Sequence, residues 1–209
     1  IIAGTIAYVK LHPKPEPVTQ IKPTDKLRET LNLLATNFTN NEGFVLDPKS
    51  NVPTSRTIIL TSLLYSMLIQ GQYVKPSSEN YAKVRQILVI IHNDSFYDPL
   101  NQTTELSVFE QWQACYSLIQ AYYTLKQTEV PIALSIVNNI LKELVYKTYN
   151  YTLGVCLDNS TTATLKTQAL AAWSIATYCL LTMKYYVESL NLIYILTELA
   201  NSLFLYYYL

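Results

Sequence analysis

Charge is what this sequence has least of. Asp, Glu, Lys and Arg make up 14% of its 209 residues and the formal net charge is zero, against about 25% charged residues in an ordinary soluble chain. With charges balanced and no Lys/Arg cluster there is no electrostatic footprint for a nucleic acid, and that class of partner is set aside. There are two histidines and three cysteines, with no Cys-x-x-Cys. Neither a metal site nor a Cys/His nucleophile is therefore indicated, and no cofactor is expected. His12 beside Pro13 reads as an exposed residue, and His92 as a complement to a helix C-terminal dipole. Glycine, at four, and methionine, at two, are equally scarce.

What is present is apolar and aromatic. Half the chain is hydrophobic, with 18 tyrosines, so a substantial core can form without outside help. Near-zero net charge favours association, and interface cores enrich Tyr while shedding Lys, Glu and Asp. Solubility then has to come from covalent sugar or from burial against other subunits. Both point away from a freely diffusing enzyme. The Ile/Leu/Tyr-rich, Gly-poor composition also suits a thermophilic, archaeal source.

Five Asn-x-Ser/Thr sequons begin at Asn37, Asn93, Asn101, Asn150 and Asn159, where chance supplies about two or three. All five fall in or beside expected interhelix loops, where a glycan reaches solvent. The expectation is an extracellular or cell-surface glycoprotein. The segment 1–10 agrees with export. Ile1, Ile2, Ile6, Tyr8 and Val9 make it apolar, yet it is about half the roughly twenty residues that span a bilayer. It reads either as the end of a membrane anchor or signal helix, or as a strand donated to a neighbouring subunit. Residues 11–24 follow, with Pro13, Pro15, Pro17 and Pro23 enforcing an extended, semi-rigid spacer.

Residues 25–209 read as one all-α domain of about seven helices. The expected spans are about 25–37, 54–70, 78–92, 104–127, a fifth opening at Thr128, 162–183 and 186–202. The second is apolar nearly all round and should be central. Stripes to be buried include Leu27, Leu31 and Leu34 on the first helix and Val108, Trp112, Cys115, Ile119 and Tyr122 on the fourth. On the sixth they are Leu165, Ala169, Trp173, Ala176 and Leu180. Ser107 and Glu110 offer a capping box.

A unit of helix, loop and longer helix recurs. Its loops are Gly43-Phe44-Val45-Leu46-Asp47-Pro48, Ser95-Phe96-Tyr97-Asp98-Pro99 and Gly154-Val155-Cys156-Leu157-Asp158-Asn159, and the longer helices rhyme at Ser62, Ser117 and Ser174. Such units cannot bury their apolar faces alone and stack on one another. That predicts consecutive antiparallel hairpins, with the seventh helix opening a fourth pair that lacks its partner.

This pattern over about residues 25–209 resembles the α/α-toroid superfamily, which includes six-hairpin glycosidases. The resemblance implies hairpins around an axis, here a partial toroid or open arc because only three complete pairs are present, with a carbohydrate substrate at one end. It would gather Asp47, Asp98 and Asp158 at that end, where a carboxylate pair acts as acid and base on a glycosidic bond. Asp in such loops is more ordinarily a turn former. Trp112 and Trp173 are expected in the core, or alternatively as a sugar platform. Cys115 and Cys179 are placed for a disulfide or remain buried thiols.

The reading that follows is a non-enzymatic, extracellular, glycosylated structural or interaction protein, part of a surface assembly or appendage with other protein subunits. It is held there by its N-terminus, either at a membrane or in a neighbouring subunit. The alternatives are a carbohydrate-active domain and an accessory subunit docked on a membrane complex through the Tyr-rich tail 203–209.

Overall fold

The computed structural model describes residues 23–92, 106–126, 128, 132–159 and 161–208. Ile1, Ile2, Ile6, Tyr8 and Val9, the sequons at Asn93 and Asn101, and Asp98 with its loop lie outside these residues.

The described chain is all-α, as its periodicity predicts. Its helices are α1 (Pro23–Asn37), α2 (Ser55–Gln70), α3 (Ser78–Arg85), α4 (Ile87–His92), α5 (Val108–Leu125), α6 (Leu134–Thr148), α7 (Leu165–Thr182) and α8 (Leu192–Tyr208). Two antiparallel pairs of two-residue strands interrupt them, β1 (Tyr149–Asn150) with β2 (Val155–Cys156), and β3 (Tyr186–Val187) with β4 (Leu190–Asn191). Caps fix several boundaries. Thr54 accepts from Thr57 N–H while Thr57 returns a side-chain bond to the Thr54 backbone, and Ser107 and Glu110 do the same for α5. These reciprocal bonds satisfy donors that a helix start leaves orphaned.

Three boundaries differ from expectation. The third helix breaks at Gln86 into α3 and α4. The fifth starts at Leu134, with Ala133 as N-cap, rather than at Thr128. The last starts at Leu192 because Tyr186 to Asn191 forms the β3–β4 hairpin, with Glu188 at φ 53°, and it continues to Tyr208 through the tyrosine tail.

The most extensive packing is between helices that do not follow one another in the chain: α2 against α5, and α5 against α7. These run parallel. Arg56 in the first turn of α2 pairs with Glu110 in the first turn of α5, and Gln70 at the end of α2 bonds Thr124 near the end of α5 at 2.9 Å. Lys166 at the start of α7 stacks on the Phe109 ring at the start of α5, and Tyr122 lies beside Tyr178 farther along. Outside this parallel layer α1 packs on α2, α3 and α4 on α2 and α5, α6 on α5, and α8 on α7. Antiparallel links also join α1 to α2, through Arg28 on the Tyr73 ring and Val45 N–H to Thr61, and α6 to α7, through Tyr178 Oη to Asn138 at 2.7 Å.

The three rhyming serines all lie in the interior. Ser62, Ser117 and Ser174 are all fully buried. Ser62 donates to Val84 O, Ser117 to Ile59 O and Ser174 to Leu170 O. A small side chain lets backbones approach, and its hydroxyl finds a carbonyl once inside. The surrounding core includes Leu68, Ile87, Trp112, Leu118, Ile119, Leu141, Ile175 and Leu192.

One predicted face is turned the wrong way. Of the stripe Leu165, Ala169, Trp173, Ala176 and Leu180, Trp173 is 61% and Leu180 74% exposed, while α7 buries Thr167, Gln168, Ala171, Ser174, Ile175, Tyr178 and Cys179. The helix is apolar on both sides, so periodicity does not choose, and the side bearing hydroxyl and amide groups packs inward. On α1 likewise only Leu31 is buried, with Leu27 and Leu34 exposed.

Candidate functional site

Two of the three recurrent loops fall in the described residues, and they fold alike. In the first, Thr39 Oγ1 donates to Ala35 O, Gly43 N–H to Asn40 O, and Leu46 N–H to Phe38 O. In the second, Thr148 Oγ1 donates to Leu144 O, Gly154 N–H to Asn150 O, and Leu157 N–H to Thr148 O. Two residues past each glycine, a side chain from the following helix takes the backbone N–H: Thr61 from Val45 at 2.9 Å, Gln168 from Cys156 at 2.7 Å. Gly43 and Gly154 have φ of 83° and 67°, a region that penalises any Cβ. At Gly43 a Cβ would also collide with Tyr65 Oη and lie 2.9 Å from Lys83 Nζ, a buried ammonium held by Glu79 and seated on the Tyr65 ring.

The carboxylates of these loops are spent on structure. Asp47 Oδ1 accepts from the N–H groups of Lys49 at 2.8 Å and Ser50 at 3.0 Å, and the Ser50 and Lys49 backbone bonds hold its carboxyl below the ordinary range. Asp158 Oδ2 accepts from Thr164 N–H at 2.6 Å and its Oδ1 from Thr167 Oγ1, closing the N-terminus of α7, which Thr164 itself does not cap. An acid catalyst needs a proton at working pH, and Asp47 is pushed the other way. Among the described residues no three His, Cys, Asp or Glu side chains gather to hold a metal.

Of the described sequons, Asn37 and Asn159 are exposed and Asn150 half-buried. Asn159 Oδ1 accepts from Thr161 N–H, Thr162 N–H and the Thr161 hydroxyl, and Asn150 Oδ1 from Thr152 and Leu153 N–H. Both asparagines are thus fixed in turns through their oxygen, and the amide nitrogen is the atom to which a sugar attaches. Cys115, Cys156 and Cys179 are free and buried, so the Cys115–Cys179 disulfide is not formed. Burial pushes the thiols up, that of Cys156 to about 12.

Several apolar side chains of the described chain stay uncovered, and two surfaces bear on function. One is the outer face of α7, where Trp173, Leu180 and Met183 are 61%, 74% and 72% exposed and Tyr185 and Tyr186 follow. The other is a groove between α1 and α2, lined by Leu31, Leu34, Phe38, Val45, Leu60, Leu63, Leu64 and Met67 and enclosing about 160 Å³. At Met67 it meets a second hollow bounded by Leu27, Gln70, Tyr73, Tyr116 and Gln120. Sequence reasoning missed the groove, because an all-round apolar α2 gives no sign of which side stays open. Trp112 is fully buried in the core. Among the described residues no helix is long and apolar enough to cross a membrane. No family model, curated protein or solved structure matches this chain.

Proposed function

We propose that the protein is a non-enzymatic, glycosylated, extracellular building block of a surface assembly, made by contacts between copies of itself. The observation that carries this reading is the uncovered face of α7. Trp173, Leu180 and Met183 form one apolar stripe with Tyr185 and Tyr186 beyond it. A chain of zero net charge supplies no repulsion to keep such stripes apart. Exposed apolar patches of this kind mark contact surfaces. Asn37, the last residue of α1, and Asn159, in the loop before α7, are both exposed and can carry sugar.

Light scattering on the full glycosylated chain tests it. Assemblies larger than one chain are expected, dispersing in Leu180→Glu with little loss of helix stability. A wild-type chain that stays monomeric at every concentration reached, or assemblies indifferent to Leu180→Glu, would count against the reading.

A second reading rests on the same tryptophan. An exposed indole is a stacking surface for the apolar face of a sugar, so a glycan-binding helical array, without hydrolysis, is the alternative. Asp47 and Asp158 are committed to turn and cap bonds, which speaks against acid-base cleavage there. A glycan panel whose members quench Trp173 fluorescence without being cut would favour this reading.

A further inference from the structure

We infer that the open face of the layer formed by α2, α5 and α7 is a two-fold contact with a second copy of this chain, centred on α5, an inference that rests on the assembly reading above. Each of the three parallel helices keeps one stripe out of the interior. On α2 it is Leu60, Leu63 and Met67, on α5 Gln113 and Tyr116, and on α7 Trp173 and Leu180, each exposed or half-buried. The stripes lie side by side. Met67 borders the same hollow as Tyr116 and Gln120, the Gln70 amide donates to Gln120 Oε1 at 2.9 Å, and the Lys166 ammonium of α7 sits over the Phe109 ring of α5 at 4.9 Å. Together they make one face, which α1 borders along the α2 edge.

The chemistry of the face selects its occupant. The three helices together carry three charged residues, Arg56, Glu110 and Lys166, all in first turns. All three are engaged at home, Arg56 with Glu110 and Lys166 over Phe109. Beyond those turns the face has no charge with which to hold a charged partner, and a partner that buried its own charges there would leave them unpaired at high cost. A second copy presents a surface as free of charge as this one, as the core of an interface requires. Two-fold contacts also need a surface that complements itself. Here a middle strip of amide and phenol groups, Gln113 and Tyr116, runs between two apolar edges. Laying α5 against α5 sets amide on amide, where each group both donates and accepts, and apolar edge on apolar edge. The area suffices. The 18 residues of α5 run about 27 Å, and three helices about 8–10 Å apart are about 28 Å wide, roughly 750 Å² in outline. A stable interface takes about 800 Å² from each partner.

The test uses the full chain with Tyr116→Cys or Gln113→Cys, each treated in the folded state with a short bis-maleimide, and with wild type and Asn139→Cys as controls. Cys115, Cys156 and Cys179 are buried, and Asn139 is exposed on α6, outside the three-helix layer. Mass spectrometry should find position 116, and in the other variant position 113, joined to the same position of another copy, a product that only separate chains can supply, while both controls stay single. Equal linkage in Asn139→Cys, or none at either strip position, overturns the inference. In parallel, Gln113→Glu, which sets two carboxylates against each other across the two-fold, should weaken association at least about tenfold with the helix content unchanged. If Gln113→Glu leaves assembly intact while Leu180→Glu disperses it, the two-fold contact fails and the assembly reading stands; a wild-type chain that stays single throughout overturns both.

Discussion

Replacing the two tryptophans one at a time separates the buried face of the helical layer from its exposed face. Trp112 is 0% exposed and Trp173 61% exposed. A tryptophan side chain buries up to about 250 Å², worth roughly 6 kcal/mol at about 25 cal/mol/Å² as an upper bound. Trp112→Ala should therefore fall in the range of about 3–5 kcal/mol measured for such truncations. At Trp173 only about 100 Å² is covered, which caps the loss near ~2 kcal/mol on the same scale. For a chain of this length each kcal/mol is about 2–4 °C in Tm, so the two variants should melt well apart. Urea unfolding followed by far-ultraviolet circular dichroism, on the dilute dispersed chain, measures both. Acrylamide should quench Trp173 in the Trp112→Phe variant and leave Trp112 protected in Trp173→Phe. Equal destabilisation by the two alanine variants, or a Trp173 as shielded as Trp112, would show that the Leu165, Ala169, Trp173, Ala176, Leu180 face points inward and would remove the ground for the assembly reading.

Gly43→Ala should cost about 2–4 kcal/mol, a positive φ plus displacement of Tyr65 and Lys83, and clearly more than Gly154→Ala, whose Cβ would come no closer than 3.1 Å to Glu198; a reversed order in chemical denaturation would refute the loop geometry. All three thiols should resist a thiol-specific chromogenic reagent at pH 8 in the folded chain and react together in urea, because each is buried and its pKa raised. Burial raises the Glu110 carboxyl, but its bonds from Arg56 and Ser107 outweigh that and leave it lowered from 4.5. Its stabilisation is then complete above about pH 4.5 and lost as pH falls through the folded-state value, so Glu110→Gln should flatten the acid limb of a stability-versus-pH curve. Of the described sequons, Asn159→Gln is expected to remove one glycan mass from the exported chain; an unchanged mass would count against glycosylation there.

Much of the secondary structure was legible because its signals are local. The Ser107–Glu110 capping box, the Thr54 start and the buried stripe of α5 through Trp112, Cys115 and Ile119 depend on residues a few positions apart, and each lies where the pattern places it. The start of α8 was misjudged because Glu188 and Ser189 form a tight turn without glycine, a conformation that residue type alone does not announce. The role of Asp158 was not legible either, since its partners Thr164 and Thr167 lie across the loop on the next helix.

By itself the sequence determined that the chain is helical, that its longer helices carry a serine at matching positions, that glycine opens two matching loops, and that charge is scarce and balanced. Only the tertiary structure decided which side of α7 and of α2 faces water. Both helices are apolar around most of their circumference, so the free energy of burying either side is nearly the same in isolation. The choice falls to the packing of the whole layer, which takes in the side of α7 that carries Ala171, Ser174 and Tyr178 and leaves Trp173 and Leu180 outside.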